Sequence, residues 1–271
     1  MIVYTAGRML PTEKTQYTAM KSEAMQMKKQ ILLVAMFLAV LCMGTCFAEG
    51  QTDPAAVAAG DVVTFGSYAQ DSEPGKEPIE WIVLDVQDGK ALLLSRYGLY
   101  AAGYHNTWDD CTWETCSLRA WLNSTFLDLA FSAEEQSAIL VSTVDNSASQ
   151  GYDWTQVGGE KSVGGNNTQD KVFLLSYAEA DRYLEVPADR GSITSRVAPT
   201  AFAVTVGAET YDEFRTADGD AAGCWWLRTN ADSLRSAEAV FPDGSISCTH
   251  AYHRDGIVRP ALWLDLNSGI D

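Results

Sequence analysis

An α+β domain is what this sequence predicts, on three observations. Two runs rich in Ile, Val and Leu, residues 79–86 and 90–95, flank Asp88-Gly89, a pair suited to the positive φ values of a tight type I′ hairpin turn. In the middle of the chain Ser132 stands three residues before Glu135, and Ser176 three before Glu179, the pattern of a capping box that opens a helix. The C-terminal stretch returns to short apolar runs separated by turn residues. Short antiparallel strands at both ends, enclosing short helices and long loops, make an α+β rather than an alternating α/β arrangement.

The N-terminal segment belongs outside that fold. Lys28-Lys29 after Met27, an apolar run over 31–41 and the tail Gly44-Thr45-Cys46-Phe47-Ala48 have the order of an export signal, with a cut expected after Ala48. Retention as an anchor is the alternative, because residues 31–48 approach the roughly 20 that cross a bilayer. Gly44 and Thr45 interrupt the run and favour cleavage, and Met43-Gly44-Thr45 before Cys46 fits a lipoprotein signal poorly. Residues 1–26 are polar, lack an apolar period and read as an extension upstream of a true start near Met27. The working protein is therefore expected to be residues 49–271, a single extracellular domain, secreted or held at the cell surface. No Pro- or Ser-rich linker and no charge block divides it.

Within it, residues 62–65 read as the first strand, ahead of the 79–86 and 90–95 hairpin. Leu118, Trp121 and Leu122 recur at helical spacing, and Phe126, Leu127 and Phe131 continue that face after an interruption at Asn123-Ser124. The stretch 147–170, rich in Gly and Asn, reads as a long surface loop. Residues 171–175 read as a strand leading into the helix that Ser176 caps. Further strands are expected at 224–228, 237–241, 245–249 and 257–264, with Pro242-Asp243-Gly244 turning the second into the third. Pro260 argues for an edge position or a bulge in the last, because proline cannot donate to the ladder.

The formal net charge is −17, and the acidic excess lies after Ala48, since Arg8, Lys14, Lys21, Lys28 and Lys29 all precede it. Such a surface repels phosphate backbones and anionic lipid heads, so neither nucleic acid nor a membrane surface is an expected partner. Solubility outside the cell accounts for the charge, and Ca²⁺ in acidic loops is the one cofactor left open. Cys111, Cys116, Cys224 and Cys248 follow Ala48 without a C-x-x-C, which disfavours a Cys₄ zinc site. An exported chain permits disulfides; three pairings exist, and the local pairs Cys111–Cys116 and Cys224–Cys248 are preferred.

Several motifs occur in a fixed order: F-G-S-Y-A-Q at 65–70, P-I-E-W-I-V-L-D at 78–85 and W-E-T-C-S-L-R-A-W-L-N at 113–123. D-K-V-F-L-L-S at 170–176, C-W-W-L-R-T at 224–229 and V-R-P-A-L-W-L at 258–264 complete the series. Together, over residues 60–266, they resemble a family of secreted bacterial domains of unknown function, DUF6273. The W-W-L-R run, a hairpin and then G-I-V-R-P-A-L is similar also to the closing strands of the formylglycine-generating-enzyme branch of the C-type-lectin-like fold. That likeness implies a C-type-lectin-like, or sulfatase-modifying-factor-like, mixed domain. It does not imply the oxidase activity, because Cys224 and Cys248 do not stand in the corresponding motif positions.

The motif residues Trp81, Trp113, Trp121, Trp225, Trp226 and Trp263 are expected in the scaffold, since aromatic residues inside strands and helices are usually core. Arg119, Arg228 and Arg259 are expected to bridge to carbonyls or carboxylates. Cys248, His250 and His253 invite a metal reading, but His253 falls in the loop after the strand and a polar surface loop is the simpler account. Asp218-Gly219-Asp220 begins like an EF-hand loop and lacks its closing Glu. Neither a G-x-S-x-G elbow nor a P-loop occurs. No catalytic residue is assigned. The expected function is a non-enzymatic extracellular binding module that takes a glycan or a surface protein on loops. Its candidate contacts are Asn230, Asp232 and Arg235, with His250, Tyr252, His253 and Arg254. The alternative is an extracellular hydrolase or modifying enzyme using acidic loop residues, with Ca²⁺ as its candidate cofactor.

Overall fold

The computed structural model describes residues 57–71, 75–186 and 191–269; the export segment expected at 27–48 lies outside the described residues. The strands are β1 (Val62–Tyr68), β2 (Glu77–Gln87), β3 (Lys90–Ser95), β4 (Tyr100–Ala101), β5 (Ser142–Val144), β6 (Thr168–Asp170) and β7 (Val172–Phe173). They continue as β8 (Tyr211–Arg215), β9 (Ala221–Ala222), β10 (Trp225–Asn230), β11 (Ser236–Val240), β12 (Ile246–His250), β13 (Ile257–Val258) and β14 (Ala261–Asp265). The helices are short: α1 (Ser117–Trp121), α2 (Leu127–Ala130), α3 (Ala133–Ala138), α4 (Tyr177–Leu184) and α5 (Ala201–Thr205). One five-stranded sheet runs β1-β2-β3-β14-β7, a second runs β12-β11-β10-β13-β4, and β5-β6 and β8-β9 form small ribbons. The fold is α+β, with mainly antiparallel pairing.

The hairpin between β2 and β3 turns at Asp88 and Gly89, with φ of 51° and 73°, the pair of positive values that a type I′ turn needs. Both capping boxes form. Ser132 Oγ accepts the Glu135 N–H at 3.2 Å while Glu135 Oε2 accepts the Ser132 N–H at 2.7 Å, and Ser176 and Glu179 do the same at the start of α4. A bulge between Thr64 and Ser67 holds Gly66 at φ 67°, where a Cβ would lie 2.5 Å from the Phe131 ring. Only glycine lets the end of the helical segment lie on β1.

Three expectations are corrected. Asn123-Ser124 does not interrupt the helix: a π turn, Leu122–Phe126, joins α1 to α2. It aims Asn123 at β7, where Oδ1 accepts the Lys171 and Val172 N–H groups and Nδ2 donates to the Val172 carbonyl. The stretch 147–170 is not a plain surface loop, because Tyr152, Ser162, Thr168 and Asp170 are buried and β6 closes it against β5. Residues 257–264 are not one strand. β13 pairs in parallel with β10 through Trp225 and Ile257, whereas β14 pairs with β3 and β7 in the other sheet. Arg259-Pro260 makes the crossing, so neither strand is an edge; the missing proline N–H falls where the chain leaves one ladder for the other.

The core gathers between these elements, and each fully buried indole finds an acceptor. Trp81 donates to the Phe65 carbonyl at 2.7 Å, Trp225 to the Ser195 carbonyl at 2.9 Å, and Trp226 to the Ala102 carbonyl at 2.8 Å. Buried tryptophans satisfied in this way stabilise a fold without leaving a polar orphan. Trp121 and Trp263 are only half-buried: Trp121 stacks on Tyr100 at 4.8 Å, and the Lys90 ammonium lies 4.9 Å from the Trp263 ring. Every residue of β10 is buried. That strand therefore carries the interior polar side chains, and its flanking strands carry the loops.

Candidate functional site

Two places collect chemistry-bearing side chains, one inside and one outside. The inner one begins at Arg228 on β10. Its guanidinium bonds Glu179 twice, and donates to the carbonyls of Leu174 at 3.0 Å and Asp145 at 2.9 Å and to Asn146 Oδ1 at 3.2 Å. Asp170, buried, accepts from Trp113 Nε1 at 2.9 Å, Arg119 Nε at 2.7 Å and the Thr168 hydroxyl at 2.6 Å. Glu238, on β11, accepts from the Tyr152 N–H at 2.8 Å and Trp154 Nε1 at 2.9 Å. The Ser162 and Thr229 hydroxyls complete its shell. Burial raises the Glu238 carboxyl above the usual range, and these hydrogen bonds pull the other way.

The cavity beside this network, lined by Trp113, Asn146, Ser162, Arg228, Thr229 and Asn230, has a volume of about 10 Å³. That holds one water, not a substrate. Arg259 is also interior: Nε donates to the Ser95 carbonyl at 3.0 Å and the guanidinium lies 5.0 Å from the Trp225 ring. Burial alone pushes it down to about 9. These arginines and acids tie strands to loops.

The outer place is an aromatic face. Segment 105–111 is held at both ends by main-chain bonds: the His105 N–H to the Ala251 carbonyl at 2.8 Å, and the Cys111 N–H to the Leu234 carbonyl at 2.9 Å. Ser117 N–H donates to His105 Nδ1, which makes that nitrogen an acceptor. Between these anchors Trp108 stands 60% exposed. Its ring lies 5.0 Å from Tyr252 at 30° and 5.6 Å from His250 at 60°. The Arg254 guanidinium sits 5.0 Å from the Tyr252 ring and donates to the phenol oxygen at 2.8 Å. His253 lies parallel to His250 at 6.2 Å, and its Nδ1 is 3.8 Å from Asp255. Arg235 Nε bonds Asp110 at 2.7 Å.

The residues expected to bind therefore divide. His250 and Tyr252 lie against Trp108, His253 and Arg254 lie against those two, and Arg235 bonds Asp110 on the same loop. Asp232 is exposed but faces Gly159 on another loop. Asn230 is corrected: it is only 4% exposed, and its amide donates to the Cys111 carbonyl at 3.0 Å, so it pins the Trp108 loop from below. Trp108, Asp109 and Asp110 are absent from the residues singled out by sequence. Their signal was a lone tryptophan in the polar run N-T-W-D-D, outside every motif and every apolar period.

The preferred disulfides do not form; all four cysteines are free thiols. Cys116 caps α1, its sulfur accepting the Arg119 N–H and its S–H reaching the Trp113 carbonyl. Burial pushes its thiol up to about 12. Cys224 precedes β10, whereas Cys248 sits on β12 opposite Glu238 with β11 between. Two strand spacings, about 9.5 Å, exceed the roughly 7 Å limit for a bridge. Among the described residues no group of three or more His, Cys, Asp or Glu side chains is placed to hold a metal ion. No helix among them is long and apolar enough to cross a membrane.

A family model for a domain of unknown function, DUF6273, matches residues 88–266. No curated protein matches the chain. No solved structure matches it either.

Proposed function

The chain belongs to the DUF6273 family, and from that premise we propose that it is an exported, non-enzymatic binding module that takes a neutral glycan on the Trp108 face. The observation that carries this reading is the stack itself. The Trp108 ring lies tilted against Tyr252, the Arg254 guanidinium packs on the Tyr252 ring, and Trp108 remains mostly in solvent. A rigid exposed indole presents an electron-rich surface to the polarised C–H groups of a sugar ring, at little entropic cost because its neighbours already fix it. Loops anchored on a sheet are where recognition is usually carried. A C-type-lectin-like arrangement of the two sheets and an extracellular location belong to the same proposal.

The hydrolase alternative draws on acidic loop residues, and the interior acids add no accessible pair to it. Asp170 is committed to Arg119, and Glu238 is closed in by four uncharged donors beside a water-sized cavity. The test is a glycan array probed with the protein and with Trp108→Ala. Neutral glycans should be retained by the protein, and the variant should lose about tenfold or more in affinity, equivalent to about 1.4 kcal/mol. Its melting temperature should not move, since exposed substitutions typically stay within about 0.5 kcal/mol. Equal binding by both proteins would remove Trp108 from the site.

A further inference from the structure

Resting on the reading of Trp108 as a glycan platform, we infer that the ligand is a linear, uncharged oligosaccharide chain, one part stacked on Trp108 and a later part seated in a separate groove. The groove has a volume of about 460 Å³ and is lined by Gln70, Tyr97, Pro199, Thr200, Thr210 and Asp220 among others. That is the size range of small-molecule sites. The side chains of Tyr97, Thr210 and Asp220 make no hydrogen bond among the described residues, so a phenol, a hydroxyl and a carboxylate among the lining residues are open to a ligand. Alanines 198, 201 and 221 leave the remaining wall small and apolar. A sugar ring has the matching surface, with hydroxyls at its rim and C–H groups on its face.

Groove and platform are joined by backbone. Ala221 lies on β9, and three residues later the Cys224 carbonyl accepts the Ile257 N–H at 2.8 Å. Asp255 stands two residues before Ile257 on that same paired segment. From Asp255 the path continues 3.8 Å to His253, 6.2 Å between the imidazoles, and 5.6 Å from His250 to Trp108. Tyr211, next to Thr210, is raised first by its own burial, then by Glu209 and, further off, by Asp255, which places that carboxylate within electrostatic reach of the groove's neighbour. A single ring would occupy only one end of this strip; a chain of rings occupies both.

The charges along the strip select the class. Arg96, at the groove's rim, is held by Glu80 at 2.8 Å and Asp218 at 3.0 Å. Arg235 is held by Asp110, whereas Arg254 donates to the neutral Tyr252 phenol and keeps its charge. Arg96 and Arg235 are thus paired with carboxylates, while Asp109 and Asp220 carry carboxylates with no hydrogen bond among the described residues. A uronate or sulfated chain would meet this acidic excess with only the Arg254 guanidinium to offset it.

The experiment is calorimetric titration of the protein with cello- and chito-oligosaccharides of increasing length, with oligogalacturonate as the anionic control. Affinity for at least one neutral series should rise about tenfold or more from disaccharide to hexasaccharide. Tyr97→Ala and Asp220→Asn should each lose that gain while keeping the disaccharide affinity, and Trp108→Ala should lose binding at every length. Thermal melts of the three variants should match the parent, which separates lost contact from lost fold. Affinity independent of length, or a length gain untouched by Tyr97→Ala and Asp220→Asn, would overturn the groove and leave the platform standing. No binding of any neutral oligomer would overturn both, and tighter binding of oligogalacturonate would overturn the uncharged class.

Discussion

Replacing Glu238 separates a loop clamp from a catalytic acid. In the structure its Oε1 accepts the Tyr152 N–H and the Trp154 indole N–H, and its Oε2 meets the Thr229 hydroxyl. In Glu238→Ala the half-exposed Trp154 indole can turn to water, and Ser162 keeps the Tyr152 carbonyl at 2.7 Å. The Tyr152 N–H and the Thr229 hydroxyl are left buried without an acceptor. Each orphan costs about 1–3 kcal/mol, so the variant should lose about 2–6 kcal/mol. Glu238→Gln keeps an acceptor oxygen for Tyr152 and Trp154 but puts an amide donor where the Thr229 hydroxyl donates, so it should lose about 1–3 kcal/mol, less than Glu238→Ala.

The pH dependence has a definite sign. Burial raises the folded-state carboxyl above its ordinary 4.5, so the folded protein holds this proton to a higher pH than the unfolded chain does. The stability it contributes is fully present below 4.5 and is lost as the pH rises through the folded value. Urea unfolding followed by tryptophan fluorescence, at pH 4 and pH 7, reads both effects. Relative to Glu238→Gln, the parent should weaken between the two pH values. Glu238→Ala within about 1 kcal/mol of the parent, or Glu238→Gln as costly as Glu238→Ala, would refute the clamp.

Trp226→Ala should lose about 3–5 kcal/mol in the same urea assay, because the ring is buried against Tyr104 at 6.0 Å and the Ala102 carbonyl loses its donor. The loss should appear with no binding defect beyond that of unfolding. Alkylation of the unfolded protein without prior reduction should label Cys111, Cys116, Cys224 and Cys248 by mass spectrometry, and dithiothreitol should leave the melting temperature unchanged. A drop on reduction of the size a disulfide supplies, about 2–4 kcal/mol, would show that pairs form after all.

What the sequence determined by itself is the part of the fold set by neighbours along the chain. Asp88-Gly89 selects its turn through two φ values, and Ser132 with Glu135, like Ser176 with Glu179, satisfies helix N–H groups within four residues, so these features need no distant partner. The aromatic and arginine motifs were legible as scaffold for a related reason, since large apolar side chains at regular spacing must be buried somewhere. Tertiary structure alone decided where each was buried and what met outside. Residues 257–264 look like one strand because both halves are apolar; only the positions of β10 and β3 divide them between two sheets. Asn230 and Arg235 look alike as polar loop residues. One lies beneath the Trp108 loop and the other beside it, a difference made by the Cys111 carbonyl and the Asp110 carboxylate, distant in sequence. Trp108 carries no periodic signal of its own, and it becomes a platform only because Tyr252, with Arg254 on its ring, is brought against it by chain closure, which no local pattern records.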